Sequence, residues 1–267
     1  MAVLVVIPAR YASSRFPGKP LARLRGASGT TKSLIERSWN AARAVEGIER
    51  VVVATDDDRI REAAQDFGAE VVMTSRDCAN GTERCAEAHA ALGGDFDFVV
   101  NLQGDAPLTP SWFVEDLIAG LRNAPEAEIA TPVLRCDGHM LGALLADRRA
   151  GRVGGTTAVF GADRQALYFS KEVIPYTAAA PQSDAEQTAV FHHVGVYAYR
   201  AAALAAYPRW PTGRLELLEG LEQLRFLEQG RKVLCVEVES RGRQFWELNN
   251  PEDIPRIEAM LADMKMK

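Results

Sequence analysis

Apolar and polar positions along this chain alternate in short blocks that read as buried strands followed by amphipathic helices. Residues 3–7 are Val-Leu-Val-Val-Ile, an unbroken apolar run typical of a parallel strand that is buried on both faces. Similar runs predict further strands at residues 50–54, 70–73, 96–102, 129–134 and 232–238. Helical spacing predicts helices over residues 33–43, 59–67, 83–92, 110–122, 215–230 and 251–264. This pattern predicts an α/β fold with a doubly wound, mixed and mostly parallel sheet.

The periodicity weakens over residues 137–187, where Gly-rich and polar pieces surround a short strand near Phe169. Such a region supplies a lid, an acceptor pocket or a dimer contact, and its letters do not separate these three roles. The chain has no internal repeat and no low-complexity linker. We therefore expect a single domain over residues 1–267 with a smaller inserted lobe at about residues 137–212.

A basic stretch at residues 7–20 directly follows the first predicted strand, so it lies at the strand's carboxyl end, where open α/β sheets bind ligands. Arg10, Arg15 and Lys19 supply three cations, and Gly18 allows backbone N–H groups to approach an anion closely. A solvated basic loop is the alternative, but three prolines stiffen this one. The spacing matches neither G-x-x-x-x-G-K-[ST] nor G-x-G-x-x-G. We interpret the stretch as a triphosphate cradle of another kind.

Composition limits the class of partner. The chain has 267 residues, 47% of them hydrophobic, which is enough for a full core. Its formal net charge is −5, so it has no general attraction for nucleic acid, and its clustered cations suit a small nucleotide better than a polymer.

The cysteines and the apolar runs indicate the compartment. The four cysteines show no C-x-x-C spacing and are expected to be small buried side chains rather than metal ligands. The first residues lack a secretory signature, and no apolar run reaches the roughly 18–20 residues that span a bilayer. We expect a cytoplasmic protein with no membrane partner.

Two further motifs carry chemistry. Gln103-Gly104-Asp105 follows a predicted strand, so Asp105 is expected at the same edge as the cradle, where a carboxylate beside a triphosphate holds Mg²⁺. The alternative is that Asp105 caps the next helix. Asn80-Gly81-Thr82 precedes a helix and could present backbone groups and a hydroxyl to a base edge, with Thr82 as N-cap in the alternative interpretation.

Seven blocks occur in order: V-V-I-P-A-R-Y-A-S-S-R-F-P-G-K-P, V-A-T-D-D, N-G-T-E-R, N-L-Q-G-D-A-P, A-L-Y-F-S, F-H-H-V-G-V-Y-A-Y and L-E-Q-L-R-F-L. Over nearly the whole chain they resemble the CMP-Kdo synthetase family of cytidylyltransferases, where Kdo is 3-deoxy-manno-octulosonate. The resemblance implies a Rossmann-like nucleotidyltransferase fold that dimerises. It also implies Mg²⁺-dependent transfer of CMP from CTP to a sugar acid, with release of pyrophosphate.

The resemblance also implies roles for particular residues. The catalytic residues would be Arg10, Arg15, Lys19 and Asp105. The CTP site would be lined by Pro8, Ala9, Arg10, Ser14, Lys19, Asn80, Gly81, Thr82, Arg84 and Gln103. The acceptor site would be lined by Gln103, Lys171, His193, Tyr197, Glu219, Glu222 and Gln223. The metal ligands would be Asp105 and Asn249. On its own chemistry, His193 is more often a satisfied structural histidine.

Four positions depart from the family pattern. Asn249 stands where the family has a second metal-binding Asp, and an amide gives up a full charge toward Mg²⁺. Thr157 replaces a Lys, Lys171 replaces an Arg, and Ala106 replaces an acidic residue. These departures lie toward the acceptor and catalytic end.

The departures leave two questions open. The expected acceptor is either a Kdo-type sugar acid or a phosphonate such as phosphonoformate. The alternative function is a non-catalytic CTP-binding homologue with an altered metal site, and the intact cradle argues against it.

Overall fold

The structure is a computed structural model that describes residues 1–12, 16–153, 155–177, 181, 183–243, 248 and 250–266. The chain divides into two compact units. The first comprises residues 1–115, 199–208 and 240–267, and the second comprises residues 116–198 and 209–239. The lobe expected at about residues 137–212 falls mostly within the second unit, which also takes in residues before and after it.

The first unit contains the strands β1 (Val3–Ala9), β2 (Arg23–Arg25), β3 (Thr31–Ser33), β4 (Arg50–Thr55), β5 (Glu70–Met73) and β6 (Phe98–Leu102). Its helices are α1 (Leu34–Arg43), α2 (Asp58–Asp66), α3 (Gly81–Ala91), α6 (Ala201–Ala206) and α9 (Ile254–Asp263). The helix α4 (Ser111–Asn123) and the strand β11 (Val196–Arg200) run through the positions at which the chain passes from one unit to the other.

The second unit contains the strands β7 (Ile129–Asp137), β8 (Thr156–Phe160), β9 (Ala166–Ser170), β10 (Gln187–His193) and β12 (Val233–Glu237). Its helices are α5 (Gly138–Arg149), α7 (Arg214–Glu219) and α8 (Leu224–Glu228). Within the described residues, no helix combines the length and the apolar character that crossing a bilayer requires.

In the first unit, β1 is central and buried at all seven positions, as its apolar run predicts. It pairs in parallel with β4 on one side and with β6 on the other, and β5 pairs in parallel with β4. The sheet order is therefore β5-β4-β1-β6. The carboxyl ends of these strands meet at one edge, which is where the basic stretch and the Gln103-Gly104-Asp105 turn leave the sheet.

The second unit mixes strand directions. The pair β12 and β7 is parallel, whereas β10 is antiparallel to both β7 and β8, and β9 is antiparallel to β8. The α/β class and the mixed, mostly parallel sheet predicted from the sequence are confirmed.

The second unit differs from the sequence-based expectations in two places. The helix predicted over residues 215–230 is two helices, α7 and α8, because Gly220 adopts a left-handed conformation (φ 62°) and ends the first. A buried ion pair fixes the two pieces, with Arg225 Nε donating to Glu216 Oε2 at 2.7 Å. The helix α5 also forms in the region of weak periodicity, where Asp137 caps it by accepting from the Met140 N–H at 2.8 Å.

Candidate functional site

The basic stretch begins where β1 ends and closes on itself at its base. The Gly18 N–H donates to the Tyr11 carbonyl at 2.9 Å. Gly18 has φ 72°, and a Cβ at this position would lie 3.0 Å from the Tyr11 ring, so only glycine fits the turn without strain. Arg10 is exposed and Lys19 is half-buried on either side of this closure. Ser14 and Arg15, both predicted in the cradle, lie outside the described residues.

Lys19 and Asp105 form the most direct contact among the predicted site residues. Lys19 Nζ donates to Asp105 Oδ2 at 2.6 Å across 86 positions of sequence. Their side chains are 16% and 26% exposed, so both still reach solvent. The structure thus brings the cation predicted for the triphosphate to the carboxylate predicted for the metal. Because α4 begins only at Ser111, Asp105 is not the cap of that helix.

The Gln103-Gly104-Asp105 turn is pressed against the end of β1. A Cβ on Gly104 would lie 2.8 Å from the Pro8 carbonyl oxygen, so a side chain there would force the two strand ends apart. Below the turn, Ser38 Oγ donates to the Gly104 carbonyl at 3.0 Å. Close approach of backbone to backbone is therefore what fixes Asp105 beside the cradle.

The Asn80-Gly81-Thr82 segment forms the N-terminus of α3. Asn80 is the N-cap and accepts from the Glu83 N–H at 2.9 Å, while its amide donates to the Tyr207 hydroxyl at 3.0 Å. The alternative of Thr82 as N-cap is wrong, since the buried Thr82 hydroxyl pairs instead with the Tyr199 hydroxyl at 2.9 Å.

Gly81 brings the first turn of α3 close to the other predicted CTP residues. A Cβ at Gly81 would lie 3.2 Å from Asn101 Nδ2, 3.3 Å from Gln103 Nε2 and 3.5 Å from Pro8 Cγ. These residues therefore lie together at the carboxyl edge of the first unit's sheet.

Arg84 is held inside the first unit. Its side chain is 4% exposed, and its guanidinium contacts the Thr74 hydroxyl, the Ser75 carbonyl and the Asp56 carboxylate, the last at 3.3 Å. In this arrangement the guanidinium ties the loop after β4 to the loop before α3. Whether Arg84 also contacts CTP stays a prediction.

The donor set around Asp105 fits Mg²⁺. Among the described residues, no group of three or more His, Cys, Asp or Glu side chains is placed to hold a metal ion, so the protein would supply few of the ligands. Magnesium commonly binds through one or two carboxylates together with substrate phosphates and water, so Asp105 beside a triphosphate cradle is a suitable ligand. The Leu248 N–H donates to the Asp105 carbonyl at 3.0 Å. Asn249, the next residue in the chain, lies outside the described residues.

The predicted acceptor residues other than Gln103 lie in the second unit. His193 is 5% exposed and packs against Phe169 and Tyr197, with ring centroids 5.0 and 5.6 Å away. Its Nε2 lies 2.8 Å from the Thr131 hydroxyl oxygen. Because that hydroxyl donates to the Val196 carbonyl at 2.9 Å, its oxygen is left to accept from Nε2–H of a neutral ring.

Burial, followed by the neighbouring His192, lowers the pKa of His193 to about 3. The imidazole therefore stays neutral at physiological pH and offers no positive charge to an anionic acceptor.

Glu219 and Gln223 link elements of the second unit. The Glu219 carboxylate accepts from Ser170 Oγ at 2.7 Å and from the Lys171 N–H at 2.9 Å, which ties the end of β9 to α7. The Gln223 amide oxygen accepts from the Tyr197 hydroxyl at 3.1 Å. Glu222 is half-buried in the turn that precedes α8.

The sequence profile of the family described as Cytidylyltransferase matches residues 4–233. The chain belongs to the cytidylyltransferase family. It is 44% identical over 262 residues to the 3-deoxy-manno-octulosonate cytidylyltransferase of Maricaulis maris, covering 98% of each chain. It is 42% identical to the 8-amino-3,8-dideoxy-manno-octulosonate cytidylyltransferase of Shewanella frigidimarina, covering 98% of this chain and 99% of the relative.

A solved structure supports the same assignment. The structure of CMP:2-keto-3-deoxy-manno-octonic acid synthetase complexed with CTP matches with a TM-score of 0.82 and 33% identity, covering 99% of this chain and all of the other. The resemblance to the CMP-Kdo synthetase family is confirmed, and the protein is a nucleotidyltransferase.

One departure from the family pattern acquires a structural role in this cytidylyltransferase. Thr157 is fully buried, and its hydroxyl donates to the Glu172 carbonyl at 2.6 Å and accepts from the Ile174 N–H at 3.2 Å. Thr157 therefore closes the turn after β9.

Sequence reasoning missed Tyr199, Tyr207, Ser38 and Asn101, which contact or adjoin the predicted residues. A hydroxyl or amide in an otherwise apolar strand was the only available signal for Tyr199 and Asn101, and their partners are distant in the chain.

Proposed function

We propose that this cytidylyltransferase transfers CMP from CTP to a Kdo-type sugar acid, either 3-deoxy-manno-octulosonate or its 8-amino-3,8-dideoxy analogue, and releases pyrophosphate. The observation that carries the proposal is the Lys19–Asp105 contact at the closed base of the cradle, because it joins a phosphate-binding cation to a carboxylate suited to a metal. The named relatives act on these two sugar acids and align over almost the whole chain.

The catalytic contribution of the protein would be alignment and charge neutralisation, since phosphoryl transfer requires little covalent work from it. An acceptor hydroxyl oxygen attacks the α-phosphorus in line and loses its proton to solvent, while the bond between the α-phosphorus and the pyrophosphate oxygen breaks. Arg10 and Lys19 bind the phosphate oxygens on which charge develops. Lys19 is already oriented by Asp105, so little reorganisation is needed when the triphosphate enters.

Asp105 would hold the Mg²⁺, and Asn249 would be a second, weaker ligand. When bound, the ion would screen the charge of the phosphate oxygens. Asn80, Gly81 and Gln103 would face the nucleotide from the first turn of α3 and from the end of β6. The acceptor would contact side chains that are neutral or hydrogen-bonded within the protein, such as His193, Tyr197 and Gln223. Lys171 would supply a positive charge for the acceptor's acidic group.

The acceptor question can be answered by pyrophosphate release with CTP and four conditions: 3-deoxy-manno-octulosonate, its 8-amino analogue, phosphonoformate and no acceptor. We expect release with at least one of the sugar acids at a kcat/KM well above that for phosphonoformate. A higher kcat/KM for phosphonoformate would overturn the sugar-acid proposal while leaving the CTP half intact. No release above the acceptor-free rate in any condition would contradict the proposal as a whole.

A homodimer is also proposed, on the family resemblance alone. Light scattering of the purified protein tests it, and a mass equal to one chain at micromolar concentration would contradict it.

A further inference from the structure

Tyr11 makes two contacts that hold the ends of the basic stretch together. Its carbonyl accepts the Gly18 N–H at 2.9 Å, and its ring packs so closely on Gly18 that a Cβ there would lie 3.0 Å away. Arg10 precedes Tyr11 and Lys19 follows Gly18 in the chain. We call the contact pair of Tyr11 and Gly18 the clamp. Each of the two described cations of the cradle is therefore adjacent in the chain to one residue of the clamp.

Arg59 joins the clamp to the neighbouring strand. Its guanidinium carbon lies 3.3 Å from the centroid of the Tyr11 ring. The same guanidinium makes a two-pronged contact with Asp57, through Nε at 2.9 Å and a terminal nitrogen at 2.7 Å. This contact raises the pKa of Arg59 and lowers that of Asp57, so the pair stays charged.

Asp57 is itself anchored. It is the N-cap of α2, where it accepts from the Arg59 N–H at 3.0 Å, and its own N–H donates to the hydroxyl of Thr55, the last residue of β4. Since Thr55 pairs with Ala9 at the end of β1, the contacts run from β4 through Asp57 and Arg59 to Tyr11.

We propose that Arg59 and Tyr11 form a latch that positions the phosphate-binding cations before CTP arrives. A guanidinium stacked on a ring and held by a carboxylate restricts the start of the cradle, which lowers the conformational cost of binding. The inference rests on the proposed function, because it takes the cradle to be the triphosphate site. Arg59 acts here as a positioning residue, through Tyr11, and not as a contact of the substrate.

The test compares Arg59→Ala, Arg59→Lys and Arg61→Ala in pyrophosphate-release kinetics with the preferred acceptor at saturation. Arg59→Ala is expected to raise KM for CTP about threefold to tenfold, with kcat within about twofold of wild type, since the lost stack acts through Tyr11 and removes no contact with the substrate. Arg61 lies on the same helix but pairs with Asp58 at 2.8 Å, so Arg61→Ala removes an equal charge without releasing Tyr11. We expect its KM to match wild type.

Arg59→Lys separates the latch from simple electrostatic attraction. Lysine keeps the charge but lacks the planar fork that both stacks on Tyr11 and grips Asp57, so its KM should rise as in Arg59→Ala. A wild-type KM in Arg59→Lys together with a raised KM in Arg59→Ala would show that charge alone matters and would overturn the latch.

Hydrogen exchange at the Gly18 amide supplies a readout independent of turnover. In the CTP-free enzyme, exchange should be several-fold faster in Arg59→Ala than in wild type and unchanged in Arg61→Ala. Unchanged exchange in Arg59→Ala would overturn the proposal. Lys19→Ala is the reference variant: if it retains full activity, the cradle itself is misassigned, whereas a defect in Lys19→Ala with none in Arg59→Ala rejects only the latch.

Discussion

The two units of this cytidylyltransferase present their predicted site residues in opposite ways. In the first unit, Lys19 and Asp105 pair with each other while remaining partly exposed, and Arg10 is open to solvent. In the second unit, His193 is buried and hydrogen-bonded to Thr131, and Gln223 is buried and hydrogen-bonded to Tyr197. The first set keeps charge available for a polyanion, whereas the second set is neutral or occupied in supporting the fold.

This difference predicts different effects for substitutions in the two sets. If the partly exposed cations of the first set bind the phosphates, a change there should affect rate more than stability. If the second set binds the acceptor, a change there should affect stability and acceptor KM together, because these side chains also hold strands and helices in place. The four predictions that follow test this contrast, from the largest expected effect to the smallest.

Lys19→Ala should lower kcat/KM by on the order of 2–4 kcal/mol of transition-state stabilisation, because a positioned cation is lost from the developing charge. The thermal midpoint should change little, as the side chain lies at the edge of the unit. Steady-state kinetics and a melting curve measure the two effects. Lys32→Ala is the matched control. Lys32 lies in β3, outside the basic stretch, and its Nζ pairs with Glu36 Oε1 at 3.6 Å. An unchanged kcat/KM in folded Lys19→Ala would remove Lys19 from the site.

Acidification should destabilise the protein through His193, whose folded pKa of about 3 lies below its unfolded value near 6.5. Between these two pH values, His193 binds a proton in the unfolded chain but not in the folded one. This contribution to stability is fully present above about pH 6.5 and is lost as the pH falls toward 3. At pH 5 the loss amounts to about 2 kcal/mol of unfolding free energy.

Urea unfolding at pH 7 and pH 5 measures this loss. In His193→Gln, the difference in unfolding free energy between the two pH values should be smaller by a similar amount. Equal pH sensitivity in wild type and His193→Gln would mean that His193 is not buried in the neutral form.

Glu219→Gln should weaken the second unit and its acceptor site together. The carboxylate accepts from Ser170 and from the Lys171 N–H, and an amide makes weaker contacts and turns one oxygen into a donor. We expect a loss of about 1–2 kcal/mol in unfolding free energy and a raised acceptor KM, with KM for CTP unchanged. A raised KM for CTP alone would break the division of roles between the units.

Asn249→Asp should have the smallest effect. If this position binds the metal, the added charge should lower the Mg²⁺ concentration for half-maximal rate several-fold. It should also raise the acceptor KM, because negative charge is added where an anion approaches. Separate titrations of Mg²⁺ and acceptor measure the two effects. Identical titrations in wild type and variant would place Asn249 away from both.

The reach of sequence reasoning differed between the units for a physical reason. In the first unit, apolar runs predicted every strand of the β5-β4-β1-β6 sheet, and the local signal is strongest at β1 and β6, which are buried along their whole length. In the second unit, the strands β8 and β10 and the helix α5 were missed, as was β11, which runs through the boundary between the units. Their composition is mixed, and α5 has no marked apolar face.

By itself, the sequence determined the α/β class and the family and predicted a cradle for phosphate, because strand burial, cation clustering and ordered motifs are properties of neighbouring residues. Only the tertiary structure decided that Lys19 pairs with Asp105 and that Asn80 forms a hydrogen bond with Tyr207 across 127 positions. The same holds for the hydrogen bond between Thr131 and the buried ring of His193. These contacts depend on strand order and on close approaches at glycines such as Gly104. Local patterns of burial and charge do not encode which distant side chain will complete a hydrogen bond.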